Sequence, residues 1–166
     1  MKRALKVLNE MERDGVFARY AVGGAMAAIF YVEPFLTFDL DVFVVLPQAP
    51  GGLLTLAPLY DALRARGYSE QENECIRIEG VPVQFLPAYN ALLEEALKEA
   101  QEIMYEDVPA RVLRSEHLLA ICLQTGRSKD RERVRILREQ AKLDQNFLAD
   151  VLRRHQLEDK WKLWTE

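Results

Sequence analysis

The stretch that decides the fold is Val22-Gly23-Gly24, followed by Thr37-Phe38-Asp39-Leu40-Asp41-Val42, with Asp39 fifteen residues beyond Gly24. The apolar run from Val16 to Val22 ends in the two glycines, and Ala25-Met26-Ala27-Ala28-Ile29 then favours a helix to about Tyr31. This reads as strand, tight turn and helix N-terminus. Glycine has no Cβ to hold an anion away, and the first N–H groups of a helix lack intrahelical partners, so the turn offers donors and positive dipole to a phosphate. Phe38 to Leu46 is β-branched, aromatic and apolar apart from its two acids, the pattern of a largely buried strand. Strand side chains repeat every second residue, so Asp39 and Asp41 leave the same face side by side. Like charges that close raise a pKa unless a cation neutralises them. Hard oxygen ligands so spaced suit Mg²⁺ or Mn²⁺, which takes one or two carboxylates plus substrate phosphates. A phosphate cradle beside a carboxylate pair implies a metal-nucleotide site.

Gly23-Gly24 and Thr37-x-Asp39-x-Asp41 together resemble the Gly-Gly/Ser and Asp-x-Asp signature of the polymerase-β-type nucleotidyltransferase superfamily, particularly its small bacterial members. Within these, the chain is most similar to the nucleotidyltransferase-like toxins of abortive-infection type toxin–antitoxin systems and their relatives. A second match, Glu116-His117-Leu118-Leu119-Ala120-Ile121-x-Leu123-x-x-Gly126-Arg127-x-Lys129-Asp130, is similar to the stretch where a helix ends in an Arg-x-Lys-Asp turn near the nucleotide. The resemblance spans most of residues 16–138. It implies an α/β (α+β) fold, a small mixed β-sheet flanked by helices, with residues 1–114 as nucleotidyltransferase-like core and 115–166 as a helical C-terminal portion packed on it.

Two positions depart from the pattern. Relatives often carry an arginine two positions before the threonine, where this chain has Phe35. The superfamily usually carries a third carboxylate pointing at the Asp pair, and the matching position here is Gln84. In two-metal phosphoryl transfer one ion holds the triphosphate and the other activates the attacking hydroxyl, the ions lying about 3.5–4 Å apart. Gln84 is neutral, cannot act as a base at pH 7 and ligates a metal only through its carbonyl oxygen. Glu79 lies at a turn and on the opposite parity from Gln84, which argues against it as a substitute.

Size and composition agree with one soluble core: 166 residues, 49% hydrophobic and 29% charged. The N-terminal Ala4 to Met11 is amphipathic and interrupted by charge, unlike a signal peptide, so a cytoplasmic protein without a membrane anchor is the expectation. Cys75 and Cys122 sit in apolar surroundings without metal-ligand spacing and read as buried reduced thiols. A net charge of −4 argues against a protein that simply coats nucleic acid. Acids concentrate from Leu92 to Asp107 and bases from Arg127 to Arg138. These are either solvated helix faces, pairing with each other or not, or a basic segment that steers a triphosphate or an RNA acceptor to the site.

Along the chain, Lys2 to Arg13 reads as a helix with Ala4, Leu5, Leu8 and Met11 on its core stripe. Pro47 to Gly52 is a loop, Leu53 to Arg66 a helix with Pro58 in its first turn or kinking it, and Tyr68 to Glu74 polar loop. Glu74 to Ile78 and Val81 to Leu86 form a hairpin about Glu79-Gly80, with Pro82 marking an edge or bulge. Asn90 caps a helix from Ala91 to about Ile103, Tyr105 to Leu113 is extended, Ser115 caps a helix through Gln124, and Ser128 caps the basic helix. The last helices run from about Asp144 to Arg154 and from Leu157 to Trp164, their tryptophans docking on the domain or on a second subunit. His117 lacks a partner at ligand spacing and reads as a packing residue.

The functional reading is a metal-dependent enzyme that moves an NMP from an NTP to a hydroxyl on RNA, protein or a small molecule. Gly23, Gly24 and Thr37 face the nucleotide, Asp39 and Asp41 bind metal, and Gln84 lines the second-metal position. Lys129 contacts the β- or γ-phosphate, and Asp130 orients Lys129 or favours the helix N-terminus. The alternative is a catalytically degenerate relative, a nucleotide-binding or protein-interaction module with an antitoxin-like partner or a second copy of itself.

Overall fold

The computed structural model describes residues 1–166. The chain begins with helix α1 (Lys2–Arg13), whose Ala4, Leu5, Leu8 and Met11 are buried on the stripe its periodicity predicts. Strand β1 (Arg19–Val22) runs into Gly23, short helix α2 (Gly24–Ala28) follows, and the chain returns as β2 (Leu40–Val45). Helix α3 (Ala57–Ala65) leads to β3 (Gln71–Glu72), β4 (Cys75–Ile78) and β5 (Val81–Pro87). Then come α4 (Ala91–Lys98) and the β6 (Gln101–Tyr105) and β7 (Val108–Val112) hairpin. Four helices end the chain: α5 (Ser115–Thr125), α6 (Ser128–Gln140), α7 (Gln145–Arg154) and α8 (Glu158–Thr165).

The strands make one mixed sheet in the order β3-β4-β5-β2-β1-β7-β6. β2 lies near the middle, antiparallel to β1 with Val22 opposite Val42, and parallel to β5 with Asp41 opposite Gln84. Leu40, Val42, Phe43 and Val44 are all buried, so both faces of β2 are covered, which is why it reads as a nearly unbroken apolar run. The β4–β5 turn places Glu79 at φ 50° and Gly80 at φ 80°, the two left-handed residues that a tight hairpin of this twist requires. Pro82 is tolerated in an interior strand because pairing of β5 with β2 starts only at Val83, so at Pro82 the strand has β4 alone as neighbour. No helix is long and apolar enough to cross a membrane.

Several boundaries differ from the sequence expectation, each for a local reason. The acidic segment is not one helix to Ile103. α4 stops at Lys98, and Ile103 and Tyr105 alternate with exposed Glu102 and Met104 in β6, a period of two that the flanking acids disguise. Leu53 and Leu54 stay outside α3 and exposed, which puts Pro58 in the helix's first turn, where its missing N–H has no cost. β1 begins at Arg19, β2 at Leu40, and α2 ends at Ala28, all shorter than the apolar runs suggest. The segment from Tyr68 to Glu74 holds the two-residue strand β3. Arg114 and Arg127, not Ser115 and Ser128, occupy the N-cap positions of α5 and α6. Asn90 does cap α4, accepting from the Leu93 N–H at 3.0 Å, and Gly126 closes α5 at φ 73°.

The acidic and basic segments do not pair with each other. Arg135 binds Glu132 and Glu139 on its own helix. Glu95 instead receives His117 at 2.9 Å, Arg154 at 2.6 Å and His155 at 2.8 Å, tying α4 to α5 and α7. His117 is fully buried, edge-on to the Phe147 ring, and its Nδ1 has no partner, so the neutral ring donates from Nε2 to Glu95. Trp161 and Trp164 pack, partly buried, against the core of their own chain. Cys122 is buried and Cys75 partly exposed, both as free thiols.

Candidate active site

The carboxylate strand and the glycine turn meet at one point. Gly23 donates its N–H to the Asp41 carbonyl at 2.9 Å, extending the β1–β2 ladder into the turn. Gly24 takes φ 59°, and a Cβ there would lie 2.6 Å from Asp41 Cγ and closer still to Oδ2. A Cβ on Gly23 would run into the Phe43 ring, with Cδ2 at 2.5 Å. Both glycines are therefore required by close approach, and Gly24 also by its left-handed backbone. The anion cradle expected from a helix N-terminus is weaker than the sequence implies, because α2 has only five residues and little aligned dipole. What Gly24 provides is space beside the Asp41 carboxylate.

Asp41 and Asp39 both line a cavity of about 620 Å³, together with Gly24, Thr37, Gln84 and Lys129. Asp39 is exposed on the last loop residue before β2, whereas Asp41 is half-buried within the strand. Burial pushes the Asp41 carboxyl above the usual carboxylate range. The charges of Arg133, Lys129 and Arg127 pull it back down, and the neighbouring Asp39 adds to the rise. Asp41 thus sits where burial favours a bound cation or a proton, with three positive side chains opposite. Cys75 lies in the same negative field: burial, then Asp39, Asp41 and Glu74, push its thiol up and keep it protonated at neutral pH, unsuited to be a nucleophile.

The positive side comes from the start of α6, about 90 residues later in the chain than the Asp pair. Of the two roles the sequence allows Asp130, orienting Lys129 or serving the helix N-terminus, the structure shows the second, with the side chain buried. Its carboxylate accepts from the Arg127 backbone N–H at 3.1 Å and from Arg127 Nε at 2.7 Å, and stands 3.7 Å from Arg133 Nη1. Asp130 thereby caps α6 and fixes two arginines at the cavity wall. Lys129 has no carboxylate partner and is exposed at the mouth, the arrangement of a cation available to a ligand. Thr37 lines the cavity at the end of the loop that carries Phe35.

Gln84 stands beside Asp41 across the parallel β2–β5 ladder, and its Nε2 donates to Glu74 Oε2 at 2.6 Å. Glu74 and Arg133 are cavity residues that sequence reading missed. Arg133 was one base among many on a charged helix, and only its i, i+3 spacing from Asp130 marked it. Glu74 looked like the first residue of a hairpin. No three His, Cys, Asp or Glu side chains converge closely enough to cage a metal ion by themselves.

No protein-family model matches the chain, and no curated protein matches its sequence. Solved structures do match its shape. An antigenic nucleotidyltransferase-like protein from Paracoccidioides brasiliensis superposes with a TM-score of 0.54 at 12% identity, over 96% of this chain and 90% of that one. The antibiotic-resistance factor ANT(2'')-Ia superposes with a TM-score of 0.52 at 16% identity, over 95% and 90%. With its mixed sheet, its central carboxylate strand and its C-terminal helices, the chain has the nucleotidyltransferase fold.

Proposed function

We propose that this protein transfers a nucleoside monophosphate from an NTP to a hydroxyl acceptor. The observation that carries the reading is the single cavity in which Asp39 and Asp41 stand against Gly24 and face Arg127, Lys129 and Arg133. The volume of about 620 Å³ suits a nucleotide-sized ligand. The donor set fits a hard divalent cation. Asp41 on the strand and Asp39 on the loop residue before it line one cavity, Gly24 leaves room for the Asp41 carboxylate, and the ligands the two acids cannot supply are of the kind a triphosphate brings. Mg²⁺ held by Asp39 and Asp41 would supply Lewis-acid stabilisation of charge on the phosphoryl oxygens.

The chain's own residues then divide the work. Gly24 leaves room for the triphosphate beside Asp41, and Thr37 faces the same space. Arg127 and Arg133, braced by Asp130, and the free Lys129 draw the phosphates in and hold them in place. The acceptor hydroxyl oxygen bonds to the α-phosphorus, and the bond from that phosphorus to the bridging oxygen breaks. Pyrophosphate leaves with the electron pair and the hydroxyl proton passes to water. Lys129 and the arginines neutralise the leaving charge. RNA, protein or a small molecule fits this chemistry as acceptor.

With an NTP labelled at the α-phosphate and a mixture of RNA, protein and small-molecule acceptors, the wild type is expected to transfer label. Asp39→Ala and Asp41→Ala should each reduce transfer about a thousandfold, equivalent to about 4 kcal/mol of lost charge stabilisation. Either variant transferring at the wild-type rate would remove the assignment. A second reading, a nucleotide-binding module without catalysis that docks an antitoxin-like protein or a second copy, draws on neutral Gln84 beside Asp41. It predicts metal-dependent NTP binding with no transfer to any acceptor.

A further inference from the structure

We infer that the acceptor is a polypeptide: a serine, threonine or tyrosine hydroxyl in an exposed segment of another protein, flanked by an apolar side chain and a basic one. This rests on the nucleotidyl-transfer reading above and names its acceptor class. The surface that carries it is a hollow of about 1380 Å³, which adjoins the nucleotide cavity and shares Asp39, Gln84 and Lys129 with it. An acceptor lying in the hollow therefore brings its hydroxyl up to the Asp39 side of a bound nucleotide.

Size and lining argue against a small polar acceptor. The hollow exceeds the roughly 300–1,000 Å³ that encloses a small molecule. Its wall is apolar along much of its length. The α2 segment and the turn after it supply Met26, Ile29 and Phe30, the loop before β2 supplies Phe38, and β5 supplies Val81 and Pro82. Phe30 is 45% exposed and Phe38 is 71% exposed. Two aromatic rings left in water beside a cavity of this kind are the anchors that a docked apolar side chain covers.

Charge decides between a polypeptide and an RNA. A nucleic-acid acceptor carries one phosphate per nucleotide, and stacking on aromatic rings serves it only along a groove of lysine and arginine. The basic side chains of the hollow are committed. Arg77 is held by Glu70 at 3.2 Å and Glu72 at 2.9 Å, and it also donates to the Gly80 carbonyl at 3.1 Å. Arg127 is held by Asp130 at 2.7 Å, and Lys129 stands at the mouth of the nucleotide cavity, where the triphosphate takes it. Beyond the nucleotide, the hollow thus offers no free cationic side chain. Glu74 on its wall has only the neutral amide of Gln84 as a partner, at 2.6 Å. A phosphate there is repelled, whereas a lysine or arginine beside the acceptor hydroxyl is matched.

In the transfer, the side-chain oxygen bonds to the α-phosphorus as the bond from that phosphorus to the bridging oxygen breaks. Pyrophosphate leaves with the electron pair, the hydroxyl proton passes to water, and the acceptor protein keeps the nucleoside monophosphate as a phosphodiester.

The test offers three acceptors with Mg²⁺ and NTPs labelled at the α-phosphate: a peptide array with central Ser, Thr or Tyr and degenerate flanks, random-sequence RNA, and a polycationic amino sugar. The wild type is expected to label peptides, with a basic and an apolar flanking residue preferred. Phe30→Ser, at a residue that lines the hollow but not the nucleotide cavity, should raise the peptide KM about thirtyfold and leave NTP binding unchanged. Glu74→Lys, an exposed charge reversal that the fold tolerates, should turn the preference from basic to acidic flanks. Label on RNA or the amino sugar and not on peptides would overturn the inference and leave nucleotidyl transfer standing. So would peptide labelling that neither substitution alters. A wild type that labels none of the three would overturn both.

Discussion

Gly24→Ala is expected to eliminate nucleotide binding and to destabilise the fold, although it adds one methyl group. Two independent penalties meet at this residue. The backbone sits at φ 59°, a left-handed conformation that costs an alanine about 1–2 kcal/mol. The added Cβ would then lie 2.6 Å from Asp41 Cγ, so the carboxylate must rotate away or the turn must shift, at a further cost of about 1–3 kcal/mol. Either response moves Asp41 out of the position in which it faces Arg133 and Lys129. Calorimetry with Mg²⁺ and NTP should show affinity falling at least about a hundredfold, with misplacement of about 1 Å sufficient for that loss. Gly15→Ala is the control, since Gly15 has φ 76° but open space around its missing Cβ. It should lose about 1 kcal/mol of stability and keep binding. Equal binding loss in both variants would show that backbone strain, and not contact with Asp41, is what matters.

The second large effect lies away from the site. Glu95→Ala should destabilise the protein by about 2–3 kcal/mol, toward the low end for a broken buried ion pair because the side chain is 22% exposed. Its loss leaves buried His117 without its hydrogen-bond acceptor and Arg154 and His155 without their shared carboxylate, so α7 loses its tie to α4. Burial by itself would raise the Glu95 carboxyl, but hydrogen bonds from Arg154, His117 and His155 outweigh it and hold it at about 2. A depressed carboxylate stabilises the folded state fully above its ordinary value of 4.5 and loses that contribution as pH falls toward 2. His117 adds to the same trend. Burial pushes its pKa below 6.5 despite Glu95, so the folded state resists protonation and stability falls as pH drops below 6.5. Urea denaturation from pH 7 to pH 3 should therefore show a steep acid loss in the wild type. In Glu95→Ala the part below pH 4.5 should be shallower, and parallel curves would contradict the account.

What could be read from sequence was what depends on local pattern. The turn at Val22-Gly23-Gly24 and the strand that carries Asp41 were legible because glycine tolerance and an apolar run act within a few residues, whereas Asp39 lies one residue before that strand. The Glu79-Gly80 hairpin and the α1 stripe were legible for the same reason. The β6–β7 hairpin was not, since Glu99, Glu102 and Glu106 imitate a charged helix face, and the alternation of Ile103 and Tyr105 is too short to stand out. At the site, the roles of Asp130 and Glu74 depend on long-range placement. Asp130 could be read as orienting Lys129 or as serving the helix N-terminus, and the helix start turns it back on Arg127 and inward to Arg133. Glu74 acquires its place only when a left-handed Asn73 folds the hairpin tip over Gln84. Gln84 thus finds its hydrogen-bond partner in the turn before the neighbouring strand, where no linear spacing leads.

The central claim is that the Asp39 and Asp41 cavity binds an NTP with a divalent cation. Isothermal calorimetry of each NTP, with Mg²⁺ and with chelator, on the wild type and on Asp41→Ala tests it without any knowledge of the acceptor. The account predicts binding of at least one NTP that requires Mg²⁺ and is lost in Asp41→Ala. No NTP binding to the wild type, or binding that survives both chelator and the substitution, would contradict it.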